Sequence, residues 1–368
     1  MIDLAVDPDV TDPRKTTLVL SHPNNPTGAA FDNDDNLVLV VSGSSSGFID
    51  IIDISVDPPV LTADSPIPMP VGMAPGFTGQ VLYDPIGKKA IINTLDDGAG
   101  CTQPNGCTGF VAFDVPTRVF GQFISANYAE TFAFNSATNQ VWDASDSDPG
   151  NQINMPDFSL ANTAACVLTD PNLAGDHDGA SVDFTTNIGV ISQENGSATV
   201  VNLNGSTVDT VAVPCAINEG GTPPNSAVVS GLPGSTAGSA VNPVTHQAFL
   251  IEDGSPGITL LTLPTAPVVQ LDPTTLVTSI GAIPPNPFGG TFRTQGDPYA
   301  VAIDVCHNKG YAVDSSSTWL VQTDLPTLQT TPASIATALL AGQCTGTTST
   351  TSCKNGAGII YFALPPVP

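Results

Sequence analysis

Short apolar runs broken by Asn, Asp, Gly and Pro recur along the whole chain. Six segments share one pattern: an apolar or small-residue run ending in Asp or Asn, about four turn residues, then a second apolar run. They read GAAFDNDDNLVLVV, QVLYDPIGKKAIIN, TFAFNSATNQVWDA, ASVDFTTNIGVISQ, SAVNPVTHQAFLIE and VAIDVCHNKGYAVD. Runs this short between turn residues predict β-strands joined as hairpins. The residues closing the first run are Asp32, Asp84, Asn135, Asp183, Asn242 and Asp304, roughly 50 to 60 residues apart. Asp and Asn suit that place because their side chains accept from backbone N–H groups two residues on. These six anchors are therefore expected to be turn formers and not catalysts.

A third run follows each pair: GFIDIIDIS, TGFVAFDVP, NQINMPDFS, SATVVNLNG, GITLLTLPT and TWLVQTDLP. A more variable fourth segment comes next, for example TVDTVAVP after the fourth repeat. Four short antiparallel strands per repeat predict an all-β fold, a β-propeller of four-stranded blades. The expected count is six, or seven if the ends supply another blade. Residues 1–368 then form one domain, with 1–22 and 357–368 (ending in the strand-like GIIYFALP) as closing strands. Closure by both ends removes an exposed sheet edge. Residues 333–356, which begin with the helix-like ASIATALLAG, are expected to be an irregular insertion.

Composition agrees and narrows the partners. Gly and Pro number 34 each, too many for a helical fold, and the 41% hydrophobic content is ample for a core. Against 34 acidic residues stand 8 basic ones, a formal net charge of -26. Such a surface repels phosphate backbones and anionic membranes, so nucleic acid is not expected as a partner. No apolar run approaches 18 residues, and no membrane span is expected. Seven cysteines include two local brackets, Cys101 with Cys107 and Cys344 with Cys353; Cys166 and Cys215 make a third candidate pair, and Cys306 is left over. Paired cysteines in polar loops point to an oxidising place, extracellular or periplasmic, although the chain does not open on a signal-peptide pattern.

In a propeller the loops between strands 2 and 3 share one face with the segments leading into strand 1. Those loops carry Asp96, Asp97, Asp143, Asp146, Asp148, Glu194, Glu252, Asp253 and Asp314. Counting back from the anchors, position −7 holds Asn25, Phe77, Tyr128, Asp176, Ser235 and Asp297. Position −5 holds Thr27, Gly79, Glu130, Asp178, Ala237 and Tyr299. His177 lies between Asp176 and Asp178. Carboxylates gathered without Lys or Arg either rise in pKa or hold a cation. Oxygen donors from Asn25, Glu130, Asp176, Asp178 and Asp297 favour calcium; adding His177 moves the preference toward zinc, manganese or iron.

The strand–turn–strand pattern of the six quoted segments resembles the YVTN/NHL-type bacterial propellers over most of the chain. That resemblance is one of architecture, and such scaffolds carry many functions. The acidic channel mouth is similar to the calcium site of the six-bladed lactonases and gluconolactonases. That similarity implies a metal polarising an ester or lactone carbonyl, with His177 or a carboxylate such as Glu130 activating water.

Other chemistry is thin. His246 and His307 read as matching turn residues on the opposite face, and His22 as a loop hydrogen-bonder. There is no P-loop, dinucleotide fingerprint or HExxH. Asn195-Gly-Ser and Asn204-Gly-Ser are glycosylation sequons. Two functions remain. One is a non-enzymatic extracellular binding or assembly module, its partner a protein, a polysaccharide or a small neutral or cationic ligand, with self-assembly as one form. The other is a metal-dependent hydrolase or lactonase. The first needs fewer special groups and is preferred.

Overall fold

The computed structural model describes residues 18–21, 26–32, 34–43, 47–75, 81–96, 98, 100–104, 106–126, 129–145, 152–160, 177–193, 195–203, 226–253, 257–268, 271–282, 301–305, 308–313 and 319–334. They form six small antiparallel sheets in a propeller-like arrangement, in strict chain order. The first contains β1 (Pro26–Asp32), β2 (Leu37–Ser42), β3 (Phe48–Asp53), β4 (Val60–Leu61) and β5 (Ile67–Pro68). The second contains β6 (Met73–Pro75), β7 (Val81–Asp84), β8 (Lys89–Asp96), β9 (Gly109–Asp114) and β10 (Val119–Ser125). The third contains β11 (Ala129–Asn135), β12 (Gln140–Ser145), β13 (Gln152–Asn154) and β14 (Ser159–Leu160). In the fourth are β15 (His177–Asp183), β16 (Ile188–Gln193), β17 (Ser197–Asn202) and β18 (Ser226–Ser230). The fifth has β19 (Ser235–Asn242), β20 (Gln247–Asp253), β21 (Gly257–Thr262) and β22 (Val277–Ala282). The sixth has β23 (Val301–Asp304), β24 (Lys309–Val313), β25 (Trp319–Asp324) and β26 (Gln329–Ser334).

Each sheet has four ranks. The two five-stranded sheets keep this plan, because β4 and β5 both pair with β3, and β6 and β7 both pair with β8. Two expectations change. The fourth strand of the fourth sheet is Ser226–Ser230, and TVDTVAVP lies outside the described residues. Residues 333 and 334 belong to β26, so the expected insertion begins no earlier than 335. The proposed closing strand at 357–368 and the first seventeen residues also lie outside the described set.

All six anchors end the first full strand of their sheet. Asp32 Oδ1 accepts from Asp34 and Asp35 N, Asp84 Oδ1 from Ile86 N, and Asn135 Oδ1 from Ala137 N. Asp183 Oδ1 accepts from Thr185 and Thr186 N, and Asn242 Oδ1 from Val244 and Thr245 N. Four residues after each anchor the backbone turns left-handed, at Asn36, Lys88, Asn139, Asn187, His246 and Asn308 (φ from 51° to 58°). Asn tolerates that conformation better than most residues. The left-handed partner of His246 in the sixth sheet is thus Asn308, not His307; the expected match of the two histidines is one residue out.

These two turn positions also tie successive sheets together. Asn135 Nδ2 donates to Asn187 Oδ1, His246 Nδ1 meets Asp183 Oδ2 at 2.8 Å, and Asn242 Nδ2 donates to Asn308 Oδ1 at 2.7 Å. We call this contact the latch. At the first interface Lys88 instead pairs with Asp35 at 3.3 Å, and burial together with the adjacent Asp32 holds the Tyr83 phenol far above its usual range.

At the second interface Asp84 Oδ2 and Asn139 Oδ1, the two latch positions, are both buried without a hydrogen-bond partner among the described residues. Burial pushes the Asp84 carboxyl above its usual range. A carboxyl raised in the fold favours its protonated form there, so ionised Asp84 costs stability at neutral pH. That cost fades as pH falls through the raised pKa. Asp84→Asn, which gives the site the donor that Asn135 supplies one sheet later, is expected to add about 1 kcal/mol at neutral pH. The gain should shrink toward about pH 4. Urea midpoints at the two pH values check this, and an equal gain at both would show that ionisation is not the cause.

The core lies between sheets rather than within one. Five apolar clusters each join one sheet to the next. Leu39, Val41, Ile49 and Ile51 pack on Ile92, Val111 and Phe113; Phe110 and Ala112 pack on Phe132, Val141 and Ile153. Trp142 packs on Ile191 and Val201, Val190 and Val200 on Leu250 and Leu261, and Phe249 and Ile258 on Ile303 and Ala312.

Candidate functional site

The inner strands carry one more regularity. Their pairing register slips between Pro26 and Gly28, Ala129 and Thr131, His177 and Gly179, and Thr236 and Gly238. Each slip is a β-bulge, and the bulged residues are Thr27, Glu130, Asp178 and Ala237. All four stand five positions before their anchor. The two remaining members of that set, Gly79 and Tyr299, lie outside the described residues. Bulges of this kind re-aim a residue at a sheet rim and recur beside binding sites.

Two of the bulged positions hold carboxylate residues, Glu130 on β11 and Asp178 on β15, and these strands are neighbours. His177 opens β15, opposite Gln193. The backbone therefore brings Glu130, His177 and Asp178 to one end of two adjacent inner strands. Asn25, Asp176 and Asp297 lie outside the described residues. Among the described residues, no group of three or more His, Cys, Asp or Glu is arranged to hold a metal.

The rim carboxylate Asp96 serves the fold. Asp96 Oδ1 accepts from Gly98 N at 2.9 Å and Oδ2 from Cys107 N at 3.3 Å, so both oxygens brace one loop. That loop is closed by the Cys101–Cys107 disulfide, as expected; Cys107 is fully buried and Thr94 Oγ1 donates to its carbonyl at 2.7 Å. Cys166, Cys215, Cys306, Cys344 and Cys353 lie outside the described residues. Asn195, the first sequon, is exposed at the tip of the β16–β17 turn, and Ser197 donates to its side-chain oxygen.

One polar tie near this rim was not evident from the sequence. Thr236 Oγ1, fully buried beside the bulge at Ala237, receives Gln193 N at 2.7 Å and lies 2.7 and 2.8 Å from the carbonyls of Gln193 and Ser197. It stitches the fourth and fifth sheets at the end opposite the latches. A lone Thr in GLPGSTAG gives no signal of that role, because the partner is 43 residues away.

No helix is long and apolar enough to cross a membrane among the described residues. No protein-family profile matches the chain, and no curated protein matches it. The chain is similar to the crystal structure of a functionally unknown protein from Desulfotomaculum acetoxidans. The TM-score is 0.56 and the identity 13%, over 83% of this chain and 84% of that one. At that identity the likeness shows the fold alone.

Proposed function

We propose that the protein is a non-enzymatic extracellular or periplasmic binding module, its six sheets the blades of a ring that presents one rim to a protein or polysaccharide partner. A calcium ion held at that rim by Glu130 and Asp178, with Asn25, Asp176 and Asp297, stiffens the loops. The observation that carries this reading is the coincidence of Glu130 and Asp178 with the bulge on neighbouring inner strands. Two carboxylate residues at one register, in a chain of only 8 Lys and Arg, favour a bound cation or a raised pKa. The Cys101–Cys107 disulfide supports an oxidising compartment.

Calcium titration followed by thermal melting tests the ion. At a hundredfold excess over Kd, one bound ion should add about 2.7 kcal/mol of stability. Glu130→Gln with Asp178→Asn should abolish that gain while leaving the calcium-free melt nearly unchanged. A melt indifferent to calcium and to chelator removes the ion from the proposal.

A further inference from the structure

The outermost strand of each sheet carries a row of backbone N–H and C=O groups on its far side, a template for another strand. Short strands, bulges and Pro blunt such edges, and four of the six sheets use them. In the first sheet β4 and β5 have two residues each, and Pro68 lies in β5. In the second, β10 is broken by a register shift between Phe120 and Phe123. In the third, β14 has only two residues, and in the sixth β26 carries Pro332 within its ladder. β18, at the edge of the fourth sheet, has five residues, of which Ser226 and Ala227 are buried.

The fifth sheet ends differently. β22 pairs with β21 over six consecutive residues without a register shift, and it contains neither Pro nor a charge. Among the described residues, no strand pairs with its far edge. Val277, Thr278, Ser279 and Ile280 are all exposed, Val277 at 57% and Ile280 at 56%. Leu271 and Leu276, just before it, lie in the apolar cluster that joins the fourth and fifth sheets, so the strand starts from a fixed point. Its surroundings are also poor in charge. Between residues 220 and 292 the only Asp, Glu, Lys or Arg are Glu252, Asp253 and Asp272, in a chain with a net charge of -26.

We propose that the far edge of β22 is a homodimer interface, where β22 of a second copy adds antiparallel about a two-fold axis and joins the two fifth sheets into one. The strand's chemistry selects a copy of itself. Its Val, Thr, Ser and Ile offer no ion pair to a charged strand, whereas a second β22 sets uncharged, mostly β-branched residues against each other. An antiparallel pair of identical strands is self-complementary, as a two-fold interface requires. Two strongly acidic chains repel over most of their surface. At β22 they can come within the strand spacing of about 4.8 Å without setting charge against charge. The proposal does not depend on the rim or its cation.

Sedimentation of the full-length protein across concentration tests this. A single strand pair is a small interface, so a monomer–dimer Kd of about 1–100 µM is expected. Repulsion between the copies should make the dimer tighten, at least about tenfold, as salt rises from ~0.02 to ~0.5 M. Hydrogen exchange at alternate amides of β22 should slow about tenfold between monomeric and dimeric concentrations, while exchange in β10 and β18 stays constant. Ile280→Glu brings like charges together across the axis and should leave a monomer at every concentration. Ile280→Thr, uncharged and β-branched, should still dimerise. A thermal melt of dilute protein is the fold control; if Ile280→Glu fails it, Ser279→Glu takes its place. A wild type that stays monomeric up to about ten times that Kd range overturns the proposal. So does a dimer that survives both Ile280→Glu and Ser279→Glu, and so does a dimer whose β22 amides exchange as fast as those of the monomer.

Discussion

Trp142→Ala is expected to destabilise the protein by about 3–5 kcal/mol, the range for deleting a large buried aromatic. Trp142 is 2% exposed and packs between Ala133 and the Ile191–Val201 pair, joining the third sheet to the fourth. Its ring lies against the backbone of Gly189 so closely that a Cβ there would overlap it. Gly189→Ala should therefore cost about 1–3 kcal/mol through overpacking, although Ala favours a strand no less than Gly does. Among the described residues the indole N–H has no hydrogen-bond partner, so Trp142→Phe loses volume but no polar contact and should cost well under half of the Ala variant. Urea midpoints for the three variants check the order. A Phe variant as damaged as the Ala variant would mean that the N–H matters after all.

His246→Ala is expected to cost about 3 kcal/mol, from two sources. The Oδ2 of Asp183, a fully buried carboxylate, would lose its partner at 2.8 Å. In addition, Ala must hold a left-handed backbone, φ 53°, at a penalty of about 1–2 kcal/mol. His246→Asn separates the latch from the imidazole. Asn occupies the same position as Asn187 and Asn308, accepts that φ, and carries an amide donor for Asp183. Its cost should stay below about 1 kcal/mol. If Asn were as harmful as Ala in a denaturant titration, the latch would not be what His246 contributes.

The hairpins were readable in the sequence because an Asx turn is a local matter: the acceptor side chain and the N–H groups it satisfies lie within three residues. The left-handed residue four places on was equally local, and the Asn at 36, 139, 187 and 308 spells it out. Lys88 and His246 hide the pattern, because neither is an obvious left-handed residue. Contacts between sheets could not be read at all. Nothing near Trp142 announces Gly189, because that pair is joined only by the stacking of sheets, and nothing near Asp50 announces Ser21, 29 residues before it, whose N–H its carboxylate accepts. For the candidate site, counting back from the anchors located the bulge positions of Glu130 and Asp178. It could not reveal that the register slips there, since a bulge is a property of two strands and not of one.

The latch has a bearing on how such a chain can change its size. Both halves of the contact, the anchor and the left-handed residue, sit in the same short turn, one facing forward to the next sheet and the other back to the previous one. A gene segment copied whole therefore brings a complete plug and socket, and the new unit joins its neighbours without any residue elsewhere being altered. Only the pairing chemistry discriminates. An Asp anchor is matched by a donor in the following turn, as Asp183 is by His246, whereas an Asn anchor donates to an oxygen there, as Asn135 and Asn242 do.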